Sequence, residues 1–364
     1  MEKENILPID GSYGEGGGQI IRNALALSML TGQGIKVTNI RAHRKNPGLR
    51  PQHLASLNAA ATISGAEVEG GGIGSTEITF QPSDIRPGSY SFNIGTAGSV
   101  TLLLQAILPT LMCAQSKSEV EVIGGTDVAW SPPVDYFSNV LLPILREMKA
   151  NVEIVSMTRG FYPKGGGVVK VAINPSELKP LECIPETYVS VSDNHMQRGD
   201  QYGDMRVKGI AHVCDLPDHI AHRMRKSAES SLIEWLGPNI DVDIDVVRSD
   251  GFGQGTGITL WTLGDQCRRL GASFRGERGV KAETVGKRAA NELITEIRGG
   301  CGVDIHLADQ LPVFAPMIPD VGIGNGLHYT VREISGHLKT GLWLLEQFGH
   351  GTNTLFDEGF HIMV

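Results

Sequence analysis

Apolar positions along this chain recur in alternating helical and strand rhythms, and the same order of elements comes round three times. Residues 19–30 carry apolar side chains at a helical period, and residues 35–40 then alternate in the period-two manner of a strand. A proline-led helix over 51–64 follows, and strands close the stretch near Val68 and over 77–80. The second pass predicts a helix over 99–113 and a strand over 119–123. It continues with a helix that starts after Pro132 and Pro133 and runs to Met148, then strands over 152–155 and 168–173. In both passes proline stands at or just before a helix start, where its missing N–H costs nothing. The third pass is looser: a helix from about Ile305, a strand over 328–334, a helix over 336–348 and a terminal strand over 361–364.

The first two passes are offset by roughly 80 residues and the last two by roughly 200, so the third is interrupted. The excess predicts an inserted α/β domain over 185–298, with 1–184 and 299–364 forming the repeated body. Within the insert, strands are expected over 207–213, 240–247 and 258–263, and helices over 216–235 and 282–298. The histidines and arginines at 219, 222, 223 and 225 read as a solvated helix face. The fold class is therefore α/β (α+β), built from repeated helix-and-strand units plus a smaller inserted domain.

Composition narrows the classes. The chain is 41% hydrophobic, enough for packed cores, and its longest apolar run, 100–113, is too short to span a bilayer and contains Gln105. The first ten residues lack the basic-then-apolar pattern of a signal peptide. Five cysteines stand apart without a Cys-x-x-Cys pair, which argues against a zinc site or a disulfide framework and for a reducing, cytoplasmic setting. A net charge of −8 disfavours a protein that coats nucleic acid, but not one that grips a single end through a few arginines. The 46 glycines fall in clusters, a sign of tight turns and close backbone approaches.

Some of these clusters offer chemistry. Residues 10–19 form a glycine loop feeding a helix N-terminus, an arrangement that presents free N–H groups to an anion, although it lacks the Gly-Lys-Ser/Thr of a Walker loop. Glu15 within it suits a divalent cation beside phosphate, and Arg22, one turn into the helix, suits the phosphate itself or a surface ion pair. Residues 41–53 are the densest basic stretch in an acidic chain, and the arginine fork matches phosphate oxygens. Gln105, inside an apolar helix, requires a partner. His337 follows a strand at the start of a helix, where an imidazole can be partly exposed, neutral and nucleophilic; a structural histidine is the alternative.

Together these segments resemble the RNA 3′-terminal phosphate cyclase family. The stretches that carry the resemblance are DGSYGEGGGQIIR, RAHRKNPGLRPQH, GTAGSVTLLLQ, GGTDVAWSPP, GFYPKGGG, HLADQL and SGHL, in the family's order and across nearly the whole chain outside the insert. The resemblance implies three repeated units, each a four-stranded sheet with two helices. It also implies an enzyme that uses ATP to convert an RNA 3′-terminal phosphate to a 2′,3′-cyclic phosphodiester. His337 would form a covalent histidine–AMP intermediate, and AMP would pass to the RNA phosphate before the 2′-hydroxyl closes the ring. By the same resemblance Glu15 would hold Mg2+ or Mn2+, and Arg22 the ATP phosphates. Arg41, Arg44 and Gln52 would hold the RNA end. Gln105, Pro132, His306, Leu307, Ala308, Asp309 and Gln310 would frame the adenylate.

This chain has His306 where many relatives carry tyrosine, and Ile-Ser-Gly-His-Leu-Lys around the nucleophile where relatives often have Pro-Ser-Cys-His. The competing readings are a scaffold member of the superfamily without the nucleophilic histidine, an enolpyruvyl transferase of similar repeats, and a plain RNA-binding module. The presence of His337 weighs against the first, and the acidic charge with only 6% aromatics against the last. The expected partner is an RNA with a 3′-phosphate end, without a membrane, and the chain reads as a monomer or a homodimer.

Overall fold

The computed structural model describes residues 6–184, 205–264, 269–319, 326–356 and 360–364. The first twenty residues of the expected insert, and Cys267, lie outside them. The first unit runs β1 (Leu7–Asp10), α1 (Gly18–Thr31), β2 (Ile35–Thr38), α2 (Pro51–Ser64), β3 (Glu67–Glu69) and β4 (Ile78–Gln81). Its sheet has the order β1-β2-β4-β3, with β1 and β2 parallel and the other pairs antiparallel. Both helices end on left-handed glycines, Gly32 (φ 72°) and Gly65 (φ 58°), a conformation that glycine reaches at no steric cost.

The second unit repeats this plan: β5 (Ser89–Asn93), α3 (Val100–Met112), β6 (Ser118–Gly124), α4 (Val134–Tyr136), α5 (Leu142–Glu147), β7 (Val152–Gly160) and β8 (Gly167–Ile173). Its sheet keeps the order β5-β6-β8-β7, with the same parallel first pair. The single helix expected after Pro133 is instead α4, a π turn over Phe137–Leu141, and α5. Pro143 explains the break: it has no N–H for the Asn139 carbonyl and its ring crowds that oxygen, so the turn before it widens.

The third unit opens with β9 (Leu181–Cys183) and is then interrupted. Residues 206–298 form β10 (Arg206–Cys214), α6 (His219–Leu236), β11 (Asp241–Arg248), β12 (Gly251–Phe252), β13 (Gly255–Leu263), β14 (Gly271–Arg275) and α7 (Ala282–Arg298). Four of these strands make a separate sheet, β11-β10-β13-β14, against which α6 and α7 bury Met224, Leu232 and Leu293 in a core of their own. The chain then resumes with α8 (Ile305–Gln310), a 3-10 turn over Pro312–Met317, β15 (Leu327–Val331), α9 (Gly336–Gln347), β16 (Asn353–Phe356) and β17 (Phe360–Met363). The third sheet, β9-β15-β17-β16, again pairs its first two strands in parallel.

Three features differ from the sequence reading. Each unit begins with a strand, β1, β5 or β9, that the patterning did not reveal. All three are short edge strands, too brief to show a period. Strands β14 and β16 were missed for the same reason. The second sheet is also not four-stranded, because β12 from the interrupting segment adds a fifth strand beside β7.

That addition is locked by a buried ion cluster. Arg159, 2% exposed, donates to both oxygens of Asp127 (3.0 and 3.0 Å) and of Asp135 (2.9 and 2.7 Å), and through Nε to Ser249 Oγ (3.0 Å). His212 of β10 lies 3.5 Å from Asp127 and 3.4 Å from Asp135. Arg159→Leu leaves two buried carboxylates without their cation. It is expected to cost about 3–5 kcal/mol, read as a fall in urea-unfolding stability, whereas a change under about 1 kcal/mol would mean the cluster is solvated rather than buried.

Candidate active site

Helices α1, α2 and α3 pack on one another, and α9 packs on α1. Their N-termini meet through named contacts. Gly17 precedes α1 with no side-chain cap, and the first turn holds no acidic residue, so the leading N–H groups stay available to an anion. Asp10 braces the loop before it, accepting from Ser12 N–H (3.0 Å), Ser12 Oγ (2.7 Å) and Asn39 (3.1 Å).

Arg22, 8% exposed, has no ion pair among the described residues, and burial alone brings its guanidinium down to about 10. A desolvated cation without a counter-charge is costly. Beside it lies His53 of α2, a residue quoted in the basic stretch but assigned no role from sequence. His53 Nδ1 accepts from Arg50 N–H at 3.2 Å, which leaves the proton on Nε2. Burial first, then Arg22, Arg41 and Arg50, push its imidazole down to about 3. A Cβ at Gly18 would stand 2.1 Å from His53 Nε2 and 3.2 Å from Arg22 Nη1, so only glycine lets both donors reach the start of α1.

His337 sits at the first turn of α9. Ser335 caps that helix, accepting from Leu338 N–H at 2.9 Å and donating to Asp309. The His337 carbonyl accepts from Gln19 Nε2 at 3.0 Å, which ties α9 to α1. Its Nδ1 lies 3.6 Å from Glu15, whose other oxygen is 3.4 Å from Arg44. A Cβ at Gly336 would fall 2.7 Å from Glu15 Oε1, which marks how closely that carboxylate approaches the start of α9. Burial lowers the His337 imidazole below its usual range; Glu15 opposes this, and Arg22, Arg44 and His306 add to it. At neutral pH the ring is uncharged, with its side chain 46% exposed.

A polar line joins α3 to α8. Gln105 donates to Gln310, and Gln310 donates to the His306 carbonyl at 2.7 Å. Thr101, also on α3, donates to the Pro132 carbonyl at 2.7 Å. The His306 ring meets Glu292 at 3.2 Å, and that hydrogen bond pushes it up to about 9. Burial pushes Asp309 up to about 7. Leu307 and Ala308 stand apart from this line: both side chains are fully buried, and the Ala308 carbonyl accepts from Tyr329. They belong to the core, because a one-turn amphipathic helix must turn its apolar residues inward. Asp304, also missed, caps α8 and was legible as an aspartate just before an apolar run.

Among the residues expected at the RNA end, Arg41 is committed to its own loop, donating to the Asn46 and Gly48 carbonyls at 2.7 and 3.0 Å. Gln52 accepts from Ser99 N–H at 3.0 Å. Arg44 faces Glu15. Glu15, Arg22, Arg44 and His337 are thus brought together, with Gln52 at the edge and Arg41 behind.

The chain matches the family described as RNA 3′-terminal phosphate cyclase over residues 13–354. A protein of Methanosarcina barkeri, named RNA 3′-terminal phosphate cyclase, is 44% identical over 94% of this chain and 94% of its own. Proteins of the same name from Methanopyrus kandleri and Pyrococcus furiosus are 42% and 43% identical, each over 94% of this chain and 93% of their own. The chain belongs to the RNA 3′-terminal phosphate cyclase family. A solved enolpyruvyl transferase from Streptomyces tendae aligns at a TM-score of 0.25, with 12% identity over 44% of this chain and 31% of its own. That likeness is too slight to carry an argument.

The electrostatics generate a test. His337 should titrate below 6.5 in the wild type and lower still in Glu15→Gln, because removing the carboxylate leaves burial and cations that all disfavour the imidazolium. Side-chain NMR titration, with His337→Ala to assign the signal, reads this directly, and a rise in the variant would contradict it.

Proposed function

We propose that the chain converts an RNA 3′-terminal phosphate to a 2′,3′-cyclic phosphodiester, at the expense of ATP, through His337. The observation that carries this reading is the pairing of a neutral, half-exposed imidazole with an uncapped helix N-terminus and with Arg22, a buried cation that has no ion pair among the described residues. In the first step a His337 ring nitrogen attacks the α-phosphorus of ATP; a nitrogen–phosphorus bond forms and pyrophosphate leaves. An oxygen of the RNA 3′-phosphate then attacks that phosphorus and frees the histidine, giving an RNA-adenylate. Finally the vicinal 2′-hydroxyl attacks the terminal phosphate, loses its proton and expels AMP. Adenylation supplies the leaving group that a phosphate monoester lacks.

The protein's part is positioning and charge. The α1 amides, Arg22 and His53 Nε2–H are the donors for ATP phosphates. Arg44, with N–H groups beyond the one facing Glu15, and the free amide end of Gln52 would take the RNA phosphate, while Arg41 shapes their loop. Gln105, Pro132, His306, Asp309 and Gln310 would frame the adenylate, and Asp309 also positions Ser335, the cap of the nucleophile's helix. Glu15 offers a hard oxygen donor of the kind Mg2+ or Mn2+ takes, and such an ion would neutralise charge on the phosphates. We read residues 185–298 as an inserted unit and the remainder as the catalytic body, working in the cytoplasm; no helix among the described residues is long and apolar enough to cross a membrane.

Incubation with α-labelled ATP and Mg2+ or Mn2+ should leave acid-labile, alkali-stable label on the denatured wild-type chain and none on His337→Ala. Arg22→Ala should slow labelling by at least about tenfold, since a hydrogen bond to a charged group contributes about 1.5–3 kcal/mol. Absence of label on the wild type would remove the mechanism.

A further inference from the structure

Residues 160–167, Gly-Phe-Tyr-Pro-Lys-Gly-Gly-Gly, take no part in the chemistry above. Between β7 and β8 this turn buries Phe161 and leaves Tyr162 76% exposed, with Lys164 also exposed. The turn is seated on the loop before α3. A Cβ at Gly165 (φ +68°) would lie 2.7 Å from the Thr96 carbonyl oxygen and 2.8 Å from Ala97 Cα, an approach only glycine permits. Next to it, a Cβ at Gly166 would meet the ring of Phe252, itself 54% exposed, at 3.3 Å.

The same loop supports two further neighbours. Gly125 backs onto the Ala97 carbonyl, where a Cβ would stand 2.7 Å away. From there a loop leaves, closed by Val134 N–H donating to Thr126 O at 3.0 Å, and carries Trp130 at 99% exposure and φ +65°. On the other neighbour, Gly98 would place a Cβ 3.1 Å from Gln52 Cβ, and Ser99 N–H holds Gln52 Oε1. Residues 96–99 therefore join the residue assigned to the RNA end to two loops that carry the open rings of Tyr162 and Trp130, with Phe252 of β12 against the first of them.

Single exposed apolar residues are ordinary. Two open rings on loops that meet the same four residues, with a third, Phe252 of β12, against one of those loops, are not, in a chain that is 6% aromatic. One of them stands at a positive φ, which side-chain-bearing residues rarely adopt. Unpaired RNA bases have two open π faces and stack on such rings. An acidic protein, at net −8, has little general electrostatic hold on a strand, so stacking is the interaction left to supply it.

We propose that Trp130, Tyr162 and Phe252 form a stacking platform for the unpaired bases immediately 5′ of the phosphorylated RNA end, with Lys164 meeting the backbone. The proposal rests on the assignment of the RNA end to Arg44 and Gln52. It makes the enzyme selective for single-stranded ends, because bases paired in a duplex cannot turn their faces to the rings.

The test compares two substrates at saturating ATP, a dinucleotide with a 3′-phosphate and a single-stranded decamer with the same end. Wild type should show a KM for the decamer about tenfold below that for the dinucleotide. Tyr162→Ala and Trp130→Ala should each raise the decamer KM about five- to tenfold, the lower end of what losing one stacked base costs. Dinucleotide kinetics and His337 labelling should stay within about twofold of wild type, and Tyr162→Phe should restore the decamer KM. Equal KM for the two substrates in wild type, or variants that shift both substrates alike, would overturn the platform. Should the wild type neither take label nor cyclise, the catalytic reading falls, and the platform is judged by anisotropy of a labelled decamer. Weakened binding by Tyr162→Ala upholds it, and unchanged binding overturns it.

Discussion

The candidate site hangs on one buried carboxylate. Asp304 is fully buried and accepts from Tyr136 Oη of α4, from Gly271 N–H of β14, and from His306 and Leu307 N–H at the start of α8. Burial raises its carboxyl, so these donors, not solvent, must keep it ionised. A charge taken from water survives only when its lone pairs are filled, and here the partners come from the second unit, the interrupting segment and the third unit. The polar line of α8 inherits its position from that junction. Its neighbour Glu296, pushed up to about 7 by burial and by Asp304, is held in turn by Arg332 at 2.9 Å.

The site balances the opposite problem. Arg22 is a buried cation with no described counter-ion, and His53 and His337 are kept neutral by burial and by nearby arginines. Such an arrangement is unfavourable in an empty site and becomes favourable when an anion arrives. A neutral imidazole next to guanidinium groups is also what a nitrogen nucleophile needs, since protonation would remove its lone pair. Glu15 tempers the cations without pairing fully with any of them, at 3.4 and 3.6 Å from its neighbours.

Much of this was legible. The helices of the repeat show themselves because each buries a stripe on a shared core, and α7 runs over the residues its pattern predicts. What escaped were the edge strands, which are too short to carry a period, and the break at Pro143, where a missing N–H outweighs an unbroken apolar pattern. Arg22 and Glu15 were legible because glycine marks their surroundings for a geometric reason: a Cβ at Gly18 would collide with His53 and Arg22, and Gly14 and Gly16 on either side of Glu15 hold positive φ. His337 was legible as a histidine at a helix start. Leu307 and Ala308 were carried along with their motif, although apolar residues of so short a helix have only the core to face. His53 escaped because its importance lies in its neutrality, which depends first on burial, a property only the fold supplies, and then on Arg22, Arg41 and Arg50.

The repeat itself explains how an acidic chain builds a candidate site suited to an anion. Three copies of one topology stack their helices against a common core, and the N-termini of α1, α2, α3 and α9 come together: Gly18 against His53, Gln52 on Ser99 N–H, Gln19 on the His337 carbonyl. Each helix start carries partial positive charge from amides that have no partner within the helix. Converging them raises the local potential without adding a single basic residue, and the arginines then need only direct it. The overall charge of −8 and the anion-seeking centre are therefore compatible, because one is a property of the surface and the other of the way the repeats close on themselves.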